Sequence, residues 1–476
     1  MTVLTRTALL AAIAAGAVVL SGCQTLDRIN PFGRDRVDPN APPMEDRVSV
    51  LTMEQRLSAP EGGPRAVTLP PAYVNDRWPQ PDGFPTNAMQ HTQARGALEP
   101  VWRVNVGAGS NRERRINARP VVQDGVIFTV DAAGRVSARD AQDGRERWST
   151  RLRANTQASG EREDRGLSAR IPFLGDGRAP GGDETMSFGG GVAVEGNRVF
   201  AHSGGRFLVA LDAANGSEVW RAEAFSPFQS APKVADGRVF AITQENELMA
   251  MNAATGSVQW THAAIAETAR LITAPSVAVS GEVVVAPFSS GEIVALRVQN
   301  GAVLWSDSLT RAGGLTPLSS INDIAGSPVV TENTVYAMSH SGIMTALDLR
   351  SGERIWDAPA GGLTAPWVAG EFLFIVTTEA AVVAMNRRTG EVQWITELQQ
   401  FANERRRRNR IAWAGPIMAG NRLLVAGSNG ELAILDPVTG ERQESRNLRG
   451  DAFIAPVIAN ETVYVLTDDG RLSAYR

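Results

Sequence analysis

The sequence predicts an all-β fold: an eight-bladed β-propeller whose four-stranded blades dock through tryptophan. Two repeated patterns and one displaced strand carry this reading. The first pattern is a strand ending in Asp or Asn, a tight turn with Gly, and a second strand carrying Trp. The turn glycines are Gly144, Gly216, Gly256, Gly301, Gly352, Gly390 and Gly440. The tryptophans that follow are Trp148, Trp220, Trp260, Trp305, Trp356 and Trp394, with Glu444 in the seventh place. The second pattern precedes each copy of the first: a short strand, a turn with Gly or Asn, and a strand ending in bulky apolar residues. Its copies lie at 120–128, 191–200, 232–240, 275–284, 328–336, 366–374, 416–424 and 456–464. Each unit therefore supplies four short strands joined by hairpin turns. A sheet this small cannot bury both faces alone, and radial stacking solves that problem.

The displaced strand explains how the ring closes. The eighth unit runs out at Arg476 before any Trp strand. The missing strand lies at the other end, around Trp102 in 100–106. Pairing the two ends removes the free edges at the junction. The seven motif tryptophans, Trp102 included, are expected to be blade-docking residues rather than a cofactor cage.

From the N-terminus, residues 8–20 form a short apolar run after a single basic residue, Arg6. Thirteen residues are too few to cross a hydrocarbon core and fit a secretory signal. Leu20, Ser21, Gly22 and Cys23 resemble a bacterial lipobox. Residues 1–22 are thus read as a signal peptide, and Cys23 as the lipidated first residue of the mature chain. Acylation at that residue anchors a soluble body to a membrane. Gln24 follows where an Asp commonly marks inner-membrane retention, which resembles outer-membrane sorting on the periplasmic face. Residues 23–70, rich in Pro, Asp, Arg and Gly, read as a flexible tether. The propeller is assigned to 71–476. An insertion at about 151–186 accounts for the long interval between Trp148 and Trp220 and reads as an exposed loop.

Composition narrows the function classes. The formal net charge is -4 and 21% of residues are charged, so nothing argues for nucleic-acid binding. The one Cys cannot form an internal disulfide. Lys233 is the only lysine among 47 basic residues, which reads as compositional bias.

Catalytic signals are weak. His91, His202, His262 and His340 have no metal-ligand spacing. No nucleophile elbow or phosphate loop appears. We expect no catalytic residues, no metal and no cofactor. Two arginine clusters, Arg112 with Arg114 and Arg115, and Arg405 to Arg408 with Arg410, fall between blades. They read as a solvated face, or as a contact with acidic groups or anionic headgroups.

The repeat resembles the tryptophan-docked blade of the pyrroloquinoline-quinone-type propeller. Two groups share it: the quinoprotein alcohol dehydrogenases, and the BamB family of outer-membrane assembly lipoproteins. The lipobox favours the second group. That resemblance implies a non-enzymatic scaffold, monomeric outside its complex. It would bind the periplasmic domains of the central barrel-inserting subunit and assist unfolded outer-membrane protein clients. In that family the contact surface lies on loops before two central blades. By that analogy Arg270, five residues before Pro275, and Asp323, five before Pro328, are the partner-binding candidates. Leu271, Asn322 and Ile324 stand beside them as support. Ala325 replaces a second Asp of the family pattern. Two alternatives stay open. One is a quinone-dependent dehydrogenase. The other is an envelope polysaccharide- or peptidoglycan-binding lipoprotein, suggested by Trp78, Trp367 and Trp413 outside the motif position.

Overall fold

The structure is a computed structural model describing residues 57–153, 189–267, 269–310 and 321–476. The expected signal peptide, Cys23, the first part of the tether and most of the 151–186 insertion lie outside the described residues. Among the described residues, no helix is long and apolar enough to cross a membrane.

Eight four-stranded antiparallel sheets make the eight blades. Blades 1 to 7 span 121–151, 191–223, 233–263, 278–308, 329–358, 367–397 and 413–447. In each, the strands follow in sequence order and are called A to D from the axis outward. Blade 8 takes its strands A to C from 457–475 and its strand D from Pro100–Asn105. Trp102 pairs with Ala474 across that junction, so the two ends close the ring as the sequence predicts.

The motif tryptophans do the docking. Six indole N–H groups donate to a carbonyl of the following blade, as in Trp148 to Ala213 at 2.9 Å and Trp305 to Leu349 at 2.8 Å. The motif glycines do more than permit a turn. Each rests on the indole of the preceding blade: a Cβ on Gly256 would stand 2.5 Å from the Trp220 ring. The φ near +76° at this position also favours Gly. Opposite each Trp the strand C residue is Ala, which leaves room for the ring: Ala384 faces Trp394, for instance. Blade 7 changes both partners together, with Ile434 facing Glu444. Ile434 is fully buried and Glu444 is exposed, so this blade has no docking indole.

A second closure was absent from the sequence reading. Residues 75–95 run once around the axis and bond to every blade in turn. Asn75 O accepts from Asn460 in blade 8, Trp78 exchanges both backbone bonds with Val122 in blade 1, and Pro79 O accepts from Val194 in blade 2. The Gln80 side chain imitates a backbone unit, donating to Val234 O and accepting from Val234 N in blade 3. Pro85 and Thr86 carbonyls take Val279 and Val330 of blades 4 and 5. Gln90 accepts from the Trp367 indole and the Gly370 amide in blade 6. Thr92 O accepts from Gly420 in blade 7, and Arg95 N returns to Glu461 in blade 8. All these contacts meet strand A or its outgoing turn, so this strap covers one end of the axis, the lower face. The loops from strand D to the next strand A lie on the opposite, upper face.

The expected tether extends too far. Val67 is buried, and Arg65 and Val67 donate to Gln393 and Val438. The chain is therefore already docked on the lower face across residues 57–70, because its few apolar side chains find the blade 6 and 7 surface.

Candidate functional site

The upper face carries the predicted partner loops around a central funnel. Its wall comes from residues at or just before the start of strand A of several blades, including Thr273, Ser327, Thr364 and Trp413. The funnel holds about 180 Å³. Two large apolar side chains stand at its mouth, Ile272 at 52% exposure and Phe453 at 47%.

The structure brings the predicted residues together but divides their roles. Leu271 N donates to Asp323 Oδ2 at 2.9 Å, so the two loops are braced against each other. Arg270 is half-buried and donates to the carbonyls of Gln244 and Glu267. Leu271 and Asn322 are also half-buried. Asp323 and Ile324 correct the sequence reading: their exposures are 2% and 0%. Asp323 cannot face a partner, because its carboxylate points inward to hold the neighbouring loop. Burial pushes that carboxyl up, against the opposing pull of the Leu271 amide and Arg270. Ile324 packs in the core between blades 4 and 5. Offset from a proline locates a loop but not the direction of its side chains. The neighbour the sequence passed over is Ile272, which its loop, with Ile265 and Leu271 also in it, did not single out.

The tryptophans behind the polysaccharide alternative are also interior. Trp78 is 0% exposed, Trp367 6% and Trp413 6%. Trp78 and Trp367 stack on each other at 6.2 Å. They offer no exposed aromatic platform, because Trp78 belongs to the strap and Trp367 is its seat.

Three of the four histidines, His91, His202 and His340, bond to backbone groups through their rings. His202 lies buried with Nε2 2.7 Å from Ser230 O, and its Nδ1 accepts from Gly204 N. Burial pulls its pKa down to about 4, so the ring is neutral. His91 ties the strap to Gly420 O through Nε2. Among the described residues no group of His, Cys, Asp and Glu could hold a metal ion. The second arginine cluster forms an exposed hairpin on the upper face, Phe401–Asn403 against Arg408–Arg410, with Arg407 over the Phe401 ring. Arg115 of the first cluster pairs with Asp468.

The floor of the funnel is charged. A turn at Gln80–Gly83 carries Asp82 up the axis from the strap. Asp82 Oδ1 pairs with Arg119 of the loop into blade 1, and Oδ2 accepts from Ser276 at 2.9 Å and Ser327 at 2.7 Å. Lys233 of blade 3 is fully buried beside it and donates to Asn87 Oδ1 at 2.5 Å. Burial opposes ionisation of Asp82, but Arg119, Lys233 and the two hydroxyls outweigh it and hold its carboxyl below the usual range. Burial pulls the Lys233 ammonium down to about 8, with Asp82 resisting and Arg119 assisting. The only lysine of the chain thus sits at its axis.

Fold and face together define a class: an eight-bladed, tryptophan-docked propeller whose distinctive loops gather on one face. Residues 176–396 and 400–476 match the family described as outer membrane protein assembly factor BamB. Residues 91–221 match the β-propeller domain of glucose, ethanol and alcohol dehydrogenases. The chain belongs to the BamB family. It is 32% identical to outer membrane protein assembly factor BamB of Salmonella typhimurium over 79% of this chain and 88% of that one. The corresponding protein of Escherichia coli is 31% identical over 78% of this chain and 86% of that one. The crystal structure of BamB from Moraxella catarrhalis superposes with a TM-score of 0.64 at 18% identity, covering 80% of this chain and 100% of that one. A europium-containing methanol dehydrogenase superposes at 0.61 with 13% identity, over 82% of this chain and 89% of that one, which is a likeness of fold. The relatives carry the name of an assembly factor and not of an enzyme, in agreement with the non-enzymatic reading of the sequence.

Proposed function

We propose that this protein is a lipid-anchored scaffold of outer-membrane protein assembly. Its upper face binds the periplasmic domains of the barrel-inserting subunit, and Cys23 carries the lipid that holds it at the periplasmic side of the outer membrane. Family membership supports the role in assembly. The observation that supports the face is the loop 270–273, where Ile272 is 52% exposed while its backbone is braced by buried Asp323. A preformed loop with an exposed aliphatic side chain loses little entropy on binding. Arg270 stands beside it, and Arg is enriched at interface hot spots.

The test is recovery of the barrel-inserting subunit in a pull-down. Arg270→Glu, and separately Ile272→Asp, should each lower recovery by about tenfold or more. Arg238→Glu, on the blade 3 turn of the lower face, should leave it unchanged. Full recovery with both upper-face variants would remove this surface from the interface.

A further inference from the structure

The charged floor of the funnel has a composition that packing alone does not require. Groups from four separate parts of the ring converge on one carboxylate: the Arg119 guanidinium and the Ser276 and Ser327 hydroxyls bond it, and the nearby Lys233 ammonium acts on it by charge. None of these four residues belongs to the segment that carries the carboxylate. Arg119 enters blade 1, Lys233 opens strand A of blade 3, and the serines precede strand A of blades 4 and 5. Asp82 arrives on the strap, held at the tip of a two-way hydrogen-bonded turn between Gln80 and Gly83. The ring supplies the receptor and the strap supplies the ligand.

Charge and access point the same way. The ring contributes one fully buried cation, Lys233, and one mostly covered cation, Arg119, and the strap returns one anion. Without Asp82, the Arg119 guanidinium would lose its carboxylate partner and the two serine hydroxyls would keep only each other, while the Lys233 ammonium, held by Asn87 Oδ1, would lose its counter-charge, an arrangement that favours a carboxylate able to enter. Entry is available, because Asp82, Arg119 and Ser327 all line the funnel that opens on the upper face. Its volume of about 180 Å³ is slightly above that of an engineered cavity that takes up benzene, about 150 Å³. The space therefore admits a small carboxylic acid or a single chain terminus, and excludes a folded segment.

We propose that the propeller axis is a carboxylate-binding site, built by Arg119, Lys233, Ser276 and Ser327 and filled in cis by Asp82. An external carboxylate takes the same place from the funnel side when the tip of the strap is withdrawn. The strap is then an internal ligand that keeps the axis closed. This proposal does not depend on the scaffold reading, since its readouts involve no partner protein.

Chemical rescue tests it in the full-length chain. Asp82→Ala should lower the unfolding midpoint, and about 100 mM formate or acetate should restore several degrees of it, as expected for a ligand of the folded state alone. Chloride at equal ionic strength should not. Arg119→Gln added to Asp82→Ala should abolish the formate effect. The single lysine gives a second readout: an amine reagent should label Lys233 about tenfold faster in Asp82→Ala, with formate slowing it again. If Asp82→Ala does not fold in chloride, refolding yield in formate replaces the midpoint. A peptide with a free C-terminal carboxylate, compared with its amide, distinguishes a chain terminus from a small acid as the source. Equal responses to formate and chloride, or no recovery in either, would overturn the proposal. So would a formate effect that survives Arg119→Gln.

Discussion

At the rim, six indoles donate to a carbonyl of the next blade and rest on its turn glycine. At the axis, one segment touches all eight blades, mostly through its backbone carbonyls and at irregular spacing, with side-chain amides replacing the backbone at Gln80 and Gln90. Both regions close one ring. The rim does so by repeating a single joint, so losing one joint leaves the others intact. The axis does so by one continuous chain, where a local change is felt by several blades at once. The rim also has a weak point at the junction of the chain ends. Trp102 Nε1 is buried with no hydrogen-bond partner, and the equivalent Ala141 carbonyl receives only Tyr464 OH, whereas Arg387 O receives both Trp356 and Tyr336.

The largest effect should come from opening the rim at that junction. Deleting 465–476 removes strand C of blade 8 and half of strand B. It also strips Pro100–Asn105 of its only neighbour in the sheet. The expected outcome is loss of a cooperative thermal transition, followed by circular dichroism. If the truncated chain melts as sharply as the intact one, the strap alone suffices to close the ring, and the contrast between rim and axis reverses.

A smaller effect separates the ordinary joints from the junction. Trp394 is 1% exposed and donates to Pro437 O. Trp394→Ala should cost about 3–5 kcal/mol, the usual range for emptying a buried aromatic site. Trp102 is half-buried and has no hydrogen bond to lose. Trp102→Ala should cost clearly less, by roughly 1–2 kcal/mol. Urea unfolding of both variants decides the order, and equal costs would show that the orphaned indole is not a weak point.

How far the sequence could be read follows the same division. A joint made many times leaves a period, and the Ala–Trp–Gly set is visible because the same layer must be filled each time. Even its exception is coherent, since Ile434 and Glu444 change together. The strap leaves no period. Trp78 bonds through its backbone, Gln80 and Gln90 through their amides, and Asn87 through two carbonyl contacts and Lys233. No spacing rule connects such groups. Asp323 and Ile324 were misread for a related reason: a loop can be located by analogy, while the inward turn of a side chain depends on its three-dimensional neighbours. Lys233 was visible from the first count as the only lysine, but rarity alone carries no information about burial.

The last expected effect belongs to the axis and has a defined sign. The Lys233 pKa falls from 10.5 to about 8 on burial. Between those values the unfolded chain holds a proton that the folded chain has released. Stability contributed by this group therefore rises with pH across that window, and the penalty of burying the ammonium is fully present below it. A shift of this size corresponds to about 3 kcal/mol between neutral and alkaline solution. The tyrosines complicate the raw curve, because burial raises Tyr336, Tyr464 and Tyr475. They cancel in the difference between the native chain and Lys233→Met. That difference should move toward the native chain by about 3 kcal/mol from pH 7 to pH 10.5. A flat difference would mean that Asp82 holds the ammonium charged throughout. The axis would then be a permanent ion cluster, with no charge relieved as pH rises.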